Sequence, residues 1–187
     1  MIIKDLNKQI RKCDKCKLSE TRTHALCGEG NLNSNLIIIA QAPGETEDRE
    51  GKMFIGPSGK VFKELLMQAG IDRKRIYITN LIKCMLPKYR KPKDEEIETC
   101  AQYLDKEIEI INPVIISALG YFSTRYIFEK YNIISELDFP DVCGKVFMIG
   151  NKKIIPLQHP TALLFNESLR DELVEEYKMM KRLFDKE

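Results

Sequence analysis

Four of the six cysteines in this chain carry spacing that chemistry could use. Cys13 and Cys16 form a C-x-x-C pair, and Cys84 and Cys100 follow far downstream. Such a pair can be a redox dithiol, half of a zinc site or half of an iron–sulfur site. A redox pair normally follows a strand at a helix start, whereas this one lies near the N-terminus with no strand before it. Four thiolates drawn from distant segments suit a 4Fe–4S cluster or a four-cysteine zinc site about equally on chemistry alone. Cys27 and Cys143 have no partner spacing and read as ordinary packed thiols. A second group of reactive side chains stands directly after apolar runs: Gln41-Ala42-Pro43-Gly44, then Asn80, then Gln158-His159-Pro160. His159 is one of only two histidines, the other being His24.

The elements that must position these residues are legible from hydrophobic patterning. Leu36–Ala40, Ile76–Thr79, Val114–Ala118 and Lys153–Leu157 are apolar runs of the kind buried in a parallel sheet. Helical segments alternate with them. Gly59–Ala69 has apolar residues at Val61, Phe62, Leu65 and Leu66 and stops at Gly70. Asp94–Ile111 opens with an acidic turn that suits the helix dipole and ends before Pro113. Tyr121–Lys130 follows Gly120, and Ser168–Phe184 is a charged amphipathic segment. Alternating strands and helices predict a three-layer α/β/α sandwich around a central, mainly parallel four-stranded sheet, with right-handed crossovers. Ligands of such sheets bind beyond the carboxyl ends of the strands, where Gln41, Asn80 and His159 fall.

At 187 residues the chain suits one domain, 1–187, with a full core. Its 43% hydrophobic and 31% charged residues are those of an ordinary globular protein. Thirty basic residues against 28 acidic ones leave a net charge of +2, so any polyanion site must gather its positive charge on one face. The N-terminus is charged, with no secretory signal, and no apolar run approaches the ~20 residues of a membrane span. A cytoplasmic protein is expected, and there cysteines are better read as ligands than as disulfides.

Taken together, KCDKCKLSETRT, QAPGETEDREGKMFIGPSG, YITNLIKCMLP, KPKDEEIETC and QHPTALL resemble, in order and spacing, family 4 of the uracil-DNA glycosylase superfamily, the iron–sulfur enzymes. The likeness covers nearly the whole chain. It implies a monofunctional enzyme of base excision repair that hydrolyses the N-glycosidic bond of uracil in DNA. It also implies that Cys13, Cys16, Cys84 and Cys100 hold a structural 4Fe–4S cluster, with zinc as the alternative.

The same resemblance assigns roles. An enzyme acting on a base must flip it from the duplex into a pocket. Phe54 matches the residue on which uracil stacks, Asn80 the reader of its edge, and His159 the donor to the developing charge on O2. Gln41 and Ala42 would supply backbone amides, and Glu47 is the candidate for positioning water or stabilising the sugar cation. Leu163 and Leu164 match the segment that wedges into the minor groove. Lys88 and Arg90, in a basic stretch with Lys83, Lys91 and Lys93, would meet phosphates. The implied partners are uracil-containing DNA and repair or replication proteins, around a monomer associated with the nucleoid.

Three positions depart from the family pattern. Ala40-Gln41 stands where members carry Gly-Glu, Phe165 where an arginine follows the leucines, and Tyr89 where Asn is common. A competing reading is a uracil-DNA binding protein with little turnover. The branch with that property carries an extra basic loop with a second histidine, and Met85–Thr99 has none. Broadened specificity for deaminated bases is a further alternative.

Overall fold

The structure is a computed structural model that describes residues 2–134 and 138–187. Its elements in chain order are helix α1 (Ile3–Arg11), strands β1 (Glu29–Gly30) and β2 (Leu36–Ala40), helices α2 (Glu45–Glu50) and α3 (Pro57–Ala69), and strand β3 (Tyr77–Asn80). Helix α4 (Asp94–Ile111), strand β4 (Ile115–Leu119) and helices α5 (Tyr121–Lys130) and α6 (Phe139–Val142) follow. The chain closes with strands β5 (Phe147–Ile149) and β6 (Lys152–Leu157), the short helix α7 (Ala162–Phe165) and helix α8 (Arg170–Phe184).

Among the described residues the sheet has six strands, not four, in the order β1-β3-β2-β4-β6-β5. The inner four are the expected parallel ones, and β1 and β5 add antiparallel edges. Neither edge gives a hydrophobic run, because β1 is two residues long and β5 is only partly buried. Each inner strand sits within one residue of its expected bounds.

β2 is buried along its whole length. Its side chains alternate between two cores: Leu36, Ile38 and Ala40 pack with α3 and α8, Ile37 and Ile39 with α1, α4 and α5. The result is three layers, helix–sheet–helix, as expected for a parallel sheet covered on both faces. Each buried Ile of such a strand contributes about 1.5–3 kcal/mol relative to exposure. No helix of the described residues is long and apolar enough to cross a membrane.

Helix α3 begins at Gly56, carries Pro57 in its first turn and ends at Gly70, whose φ of 73° supplies the left-handed turn. Its Phe62 is fully buried and links the core to the loop before the helix. The ring stacks on Phe54 at 4.2 Å between centroids and meets Tyr177 of α8 edge-on at 6.3 Å. Phe62→Ala is therefore expected to lower stability by about 3–5 kcal/mol. Urea denaturation should show this as a reduced midpoint with an unchanged slope.

Candidate active site

Beyond the carboxyl ends of β2, β3 and β6, ten residues enclose a small cavity: Ala40, Ala42, Pro43, Gly44, Glu47, Met53, Phe54, Ser58, Asn80 and His159. Ala42, Glu47, Phe54, Asn80 and His159 are thus brought together from three distant stretches of chain. Gln41 is the exception. Its carbonyl accepts from Ile82 N–H at 2.9 Å, extending the β2–β3 ladder, and its side chain is not part of the lining. Met53 and Ser58 line the cavity without having been expected there; nothing in their types marks them, and only their neighbours in the motif could have.

Asn80 is the last residue of β3 and is buried, its side-chain amide 3.2 Å from Met53 Sδ. A thioether is a weak acceptor, so the amide keeps its hydrogen-bonding capacity for a better partner.

Glu47 is buried in α2. Its Oε1 accepts from the backbone N–H groups of Ile55 at 2.9 Å and Gly56 at 2.6 Å. One carboxylate oxygen therefore caps the start of α3 and closes the loop that carries Phe54. Its Oε2 lies against Gly44, where an added Cβ would approach it to 2.6 Å. Asp48, also buried, accepts from the backbone of Thr23 and His24 and ties α2 to the N-terminal segment.

Phe54 has a φ of 51°, a left-handed conformation that a bulky residue adopts only when its surroundings impose it. Those surroundings are visible. Arg73 donates to the carbonyls of Met53 at 2.6 Å and Phe54 at 3.3 Å, and is itself paired with Glu29. Gly59 lies so close that a Cβ there would sit 2.2 Å from the Phe54 carbonyl carbon.

His159 follows β6. The Thr161 backbone N–H donates to Nδ1 at 3.2 Å, and Thr161 Oγ1 lies 2.8 Å from the same nitrogen. A backbone N–H can only donate, so Nδ1 is an acceptor and the proton of the neutral ring is assigned to Nε2. Burial pushes the pKa of His159 down to about 4. The ring is therefore a neutral donor at physiological pH.

A second cavity is lined by Cys13, Cys16, Cys84 and Cys100, together with Arg22, Lys83 and Tyr103. Arg22 donates to Cys84 Sγ at 3.1 Å, and the Lys83 backbone N–H to Cys100 Sγ at 3.2 Å. Burial pushes the Cys100 thiol up to about 12, so a thiolate there requires positive partners. Cys27 and Cys143 stand apart, their thiols directed at the carbonyls of Asn7 and Phe139.

The residues expected to meet DNA separate into two groups. Leu163 is a core residue, 5% exposed and packed with α3 and α8, so the wedge role expected of it is corrected. Leu164 and Phe165 next to it are 47% and 89% exposed. Adjacent positions on a helix face directions about 100° apart, and one turn thus anchors the first while presenting the others. Lys83 is not part of a solvated basic stretch: it is buried and paired with Glu107. Arg90 makes a two-pronged pair with Glu96 at 2.9 and 2.5 Å, and that carboxylate also accepts from Lys93 N–H at the start of α4. Its charge is thereby engaged within the protein, while its side chain stays 35% exposed. Lys88 is exposed, and so is Tyr89, whose hydroxyl reaches Glu45 at 3.0 Å.

Two measurements follow from this geometry. Gly59→Ala should destabilise the protein by about 1–3 kcal/mol through overpacking against the Phe54 backbone, read by chemical denaturation. His159 should titrate near pH 4 by NMR, not near 6.5. Below pH 6.5 the unfolded chain takes up a proton that the folded ring refuses. Its contribution to stability should therefore be complete above 6.5, fall as pH drops toward 4, and change no further below.

The sequence model of the uracil DNA glycosylase superfamily matches residues 27–183. The type-4 uracil-DNA glycosylase of Saccharolobus solfataricus is 42% identical over 178 residues, covering 92% of this chain and 82% of that protein. That of Sulfurisphaera tokodaii is 39% identical, covering 97% and 84%. That of Archaeoglobus fulgidus is 36% identical, covering 97% and 93%. With a cavity of this composition at the strand ends and relatives that match over nearly its whole length, the chain belongs to the uracil DNA glycosylase superfamily.

Proposed function

We propose that this protein is a monofunctional uracil-DNA glycosylase of base excision repair. The observation that carries the reading is the single cavity that gathers Ala42, Phe54, Asn80 and His159 at the strand ends. The type-4 names of its relatives support the same activity.

The flipped uracil would lie on the Phe54 ring, which is fixed from behind by Phe62. Asn80 offers the pyrimidine edge both a donor and an acceptor, which is what O4 and N3–H require. As the C1′–N1 bond breaks, its electron pair moves onto uracil and the sugar becomes cationic. Nε2–H of neutral His159 donates to O2 and stabilises the departing anion without itself transferring a proton. The Oε2 of Glu47 supplies negative charge beside the sugar cation and can orient the attacking water. Water oxygen then bonds to C1′ and loses a proton, uracil takes one up, and the phosphodiester backbone stays intact. No lysine lines the cavity among the described residues, in keeping with hydrolysis in preference to lyase chemistry. Gln41, with its side chain outside the lining, would contribute backbone only.

The four thiols around one cavity support a 4Fe–4S cluster held by Cys13, Cys16, Cys84 and Cys100. Among the described residues no three His, Cys, Asp or Glu side chains are arranged to hold a single ion. Four thiolates are the donor set that a 4Fe–4S cluster would take. When bound, it would cross-link the N-terminal segment to the loop after β3 and to α4. Arg22 and the Lys83 N–H would offset thiolate charge there.

On the DNA side, Leu164 and Phe165 are the wedge that fills the space left by the flipped nucleotide, with Leu163 as their anchor. Lys88 is the candidate phosphate contact of the basic stretch. A DNA substrate supports a location inside the cell, with the nucleoid.

Cluster-loaded protein, incubated with uracil-containing oligonucleotide and then treated with alkali, should give strand cleavage at uracil. Asn80→Ala and His159→Ala should each lower the single-turnover rate by about 10²–10³-fold. Uracil-specific binding without cleavage would turn the assignment to a binding protein, and neither binding nor cleavage would sink it.

A further inference from the structure

A buried ion pair lies between the base pocket and the cysteine-lined cavity. Lys83 Nζ and Glu107 Oε2 are 2.6 Å apart, with side chains 2% and 0% exposed. We infer that Lys83 and Glu107 are positioning residues that fix Asn80 for base reading and tie its placement to the cysteine-bearing loop. The inference rests on the base-reading role proposed for Asn80.

The connections are direct. β3 ends at Asn80, and the next two N–H groups, of Leu81 and Ile82, turn to the carbonyls of Ala40 and Gln41. The Asn80 carbonyl accepts instead from Lys83 Nζ at 2.7 Å. Lys83 gives its other two hydrogens to Thr79 Oγ1 at 2.7 Å and Glu107 Oε2 at 2.6 Å, so all three donors of the ammonium are used. The Thr79 hydroxyl donates in turn to Glu107 Oε2 at 2.7 Å. Glu107 Oε1 accepts from Gly28 N–H at 3.0 Å and Tyr77 hydroxyl at 3.3 Å. The backbone of the same Lys83 donates to Cys100 Sγ, and its chain neighbour is Cys84.

Stability alone does not account for such a pair. Apolar side chains of similar volume commonly serve as well in a buried position, because desolvation offsets the Coulomb attraction. What the ammonium supplies that they do not is direction: three bonds at fixed angles, one of them to the backbone of the residue that must meet the base. A reading group has to be held to within about 0.5 Å, and a misplacement of about 1 Å can cost 10²-fold in rate.

The test compares Lys83→Met, Lys83→Met/Glu107→Leu and wild type. Thermal midpoint, visible absorbance of the bound cluster, DNA affinity, affinity for free uracil and single-turnover rate are measured on each. Lys83→Met alone should lose stability, because it strands the Glu107 charge. The double variant should regain midpoint and absorbance and bind DNA within about twofold of wild type. Its single-turnover rate should still lie about 10–100-fold below wild type, with weakened binding of free uracil. A double variant with wild-type rate and uracil affinity overturns the inference. Should the double variant fail to fold or load, Thr79→Val decides on the same readouts: a fall in rate and uracil affinity of about threefold or more is expected, and unchanged values overturn the inference. Asn80→Ala is run in parallel. Wild-type cleavage by that variant defeats the base-reading role and the inference with it. An inactive Asn80→Ala beside a fully active double variant defeats the inference alone.

Discussion

Because β3, β2, β4 and β6 run parallel and are covered on both faces, a polar side chain that must meet a ligand has few places to stand. Inside the strands it would be desolvated without a partner, which is costly. At the carboxyl ends the chain leaves the sheet, and the first residues out can face a cavity while their neighbours stay locked in the ladder. Asn80 shows the transition within one residue: its backbone is paired with Ala40 of β2, and its side chain lines the cavity. The placements of His159 after β6 and Ala42 after β2 follow from the same constraint.

The loops around the cavity have little regular structure of their own and are held by buried charge. Glu47 gathers two amides at the start of α3, Asp48 gathers the backbone of Thr23 and His24, and Glu96 takes Arg90 and the first turn of α4. A carboxylate accepting from backbone N–H groups is strongly held and satisfies donors that a loop would otherwise leave orphaned. Glu176 of α8 differs. Among the described residues its Oε2 has no hydrogen-bond partner, and burial with Glu172 nearby pushes its pKa up to about 7.

What could be read from the sequence was whatever depends on local pattern. Leu-Ile-Ile-Ile-Ala announces a strand buried on both faces, and the acidic opening of α4 with its stop before Pro113 announces that helix to the residue. The motifs at the strand ends were equally legible, since their meaning lies in position. Partnership was not legible. Lys83 and Arg90 look like Lys88 in a basic stretch, yet two of the three have carboxylates that come from α4, and Glu107 lies 24 residues from Lys83. Leu163 and Leu164 are identical in type, and only the orientation of a four-residue helix decides which is core. The edge strands are not legible for a related reason: a two-residue strand and a half-exposed one bury too little to leave a pattern.

The backbone of Phe54 bears on how the pocket works. A left-handed φ at a bulky residue costs about 1–3 kcal/mol, and nothing local to Met53-Phe54-Ile55 favours it. The cost is offset by distant residues: Arg73 on two carbonyls, Glu47 on the next two amides, Phe62 under the ring, and Gly59 giving the backbone room. Such convergence fixes the stacking surface before any base arrives. Pre-organisation of this kind matters most where the ligand must leave a stable duplex, because unstacking already draws a few kcal/mol from the binding energy. A pocket that also had to order its own aromatic wall would draw more. Holding Phe54, Asn80 and the His159 tautomer in place beforehand leaves the binding energy for extrusion of the base and for stabilising charge in the transition state.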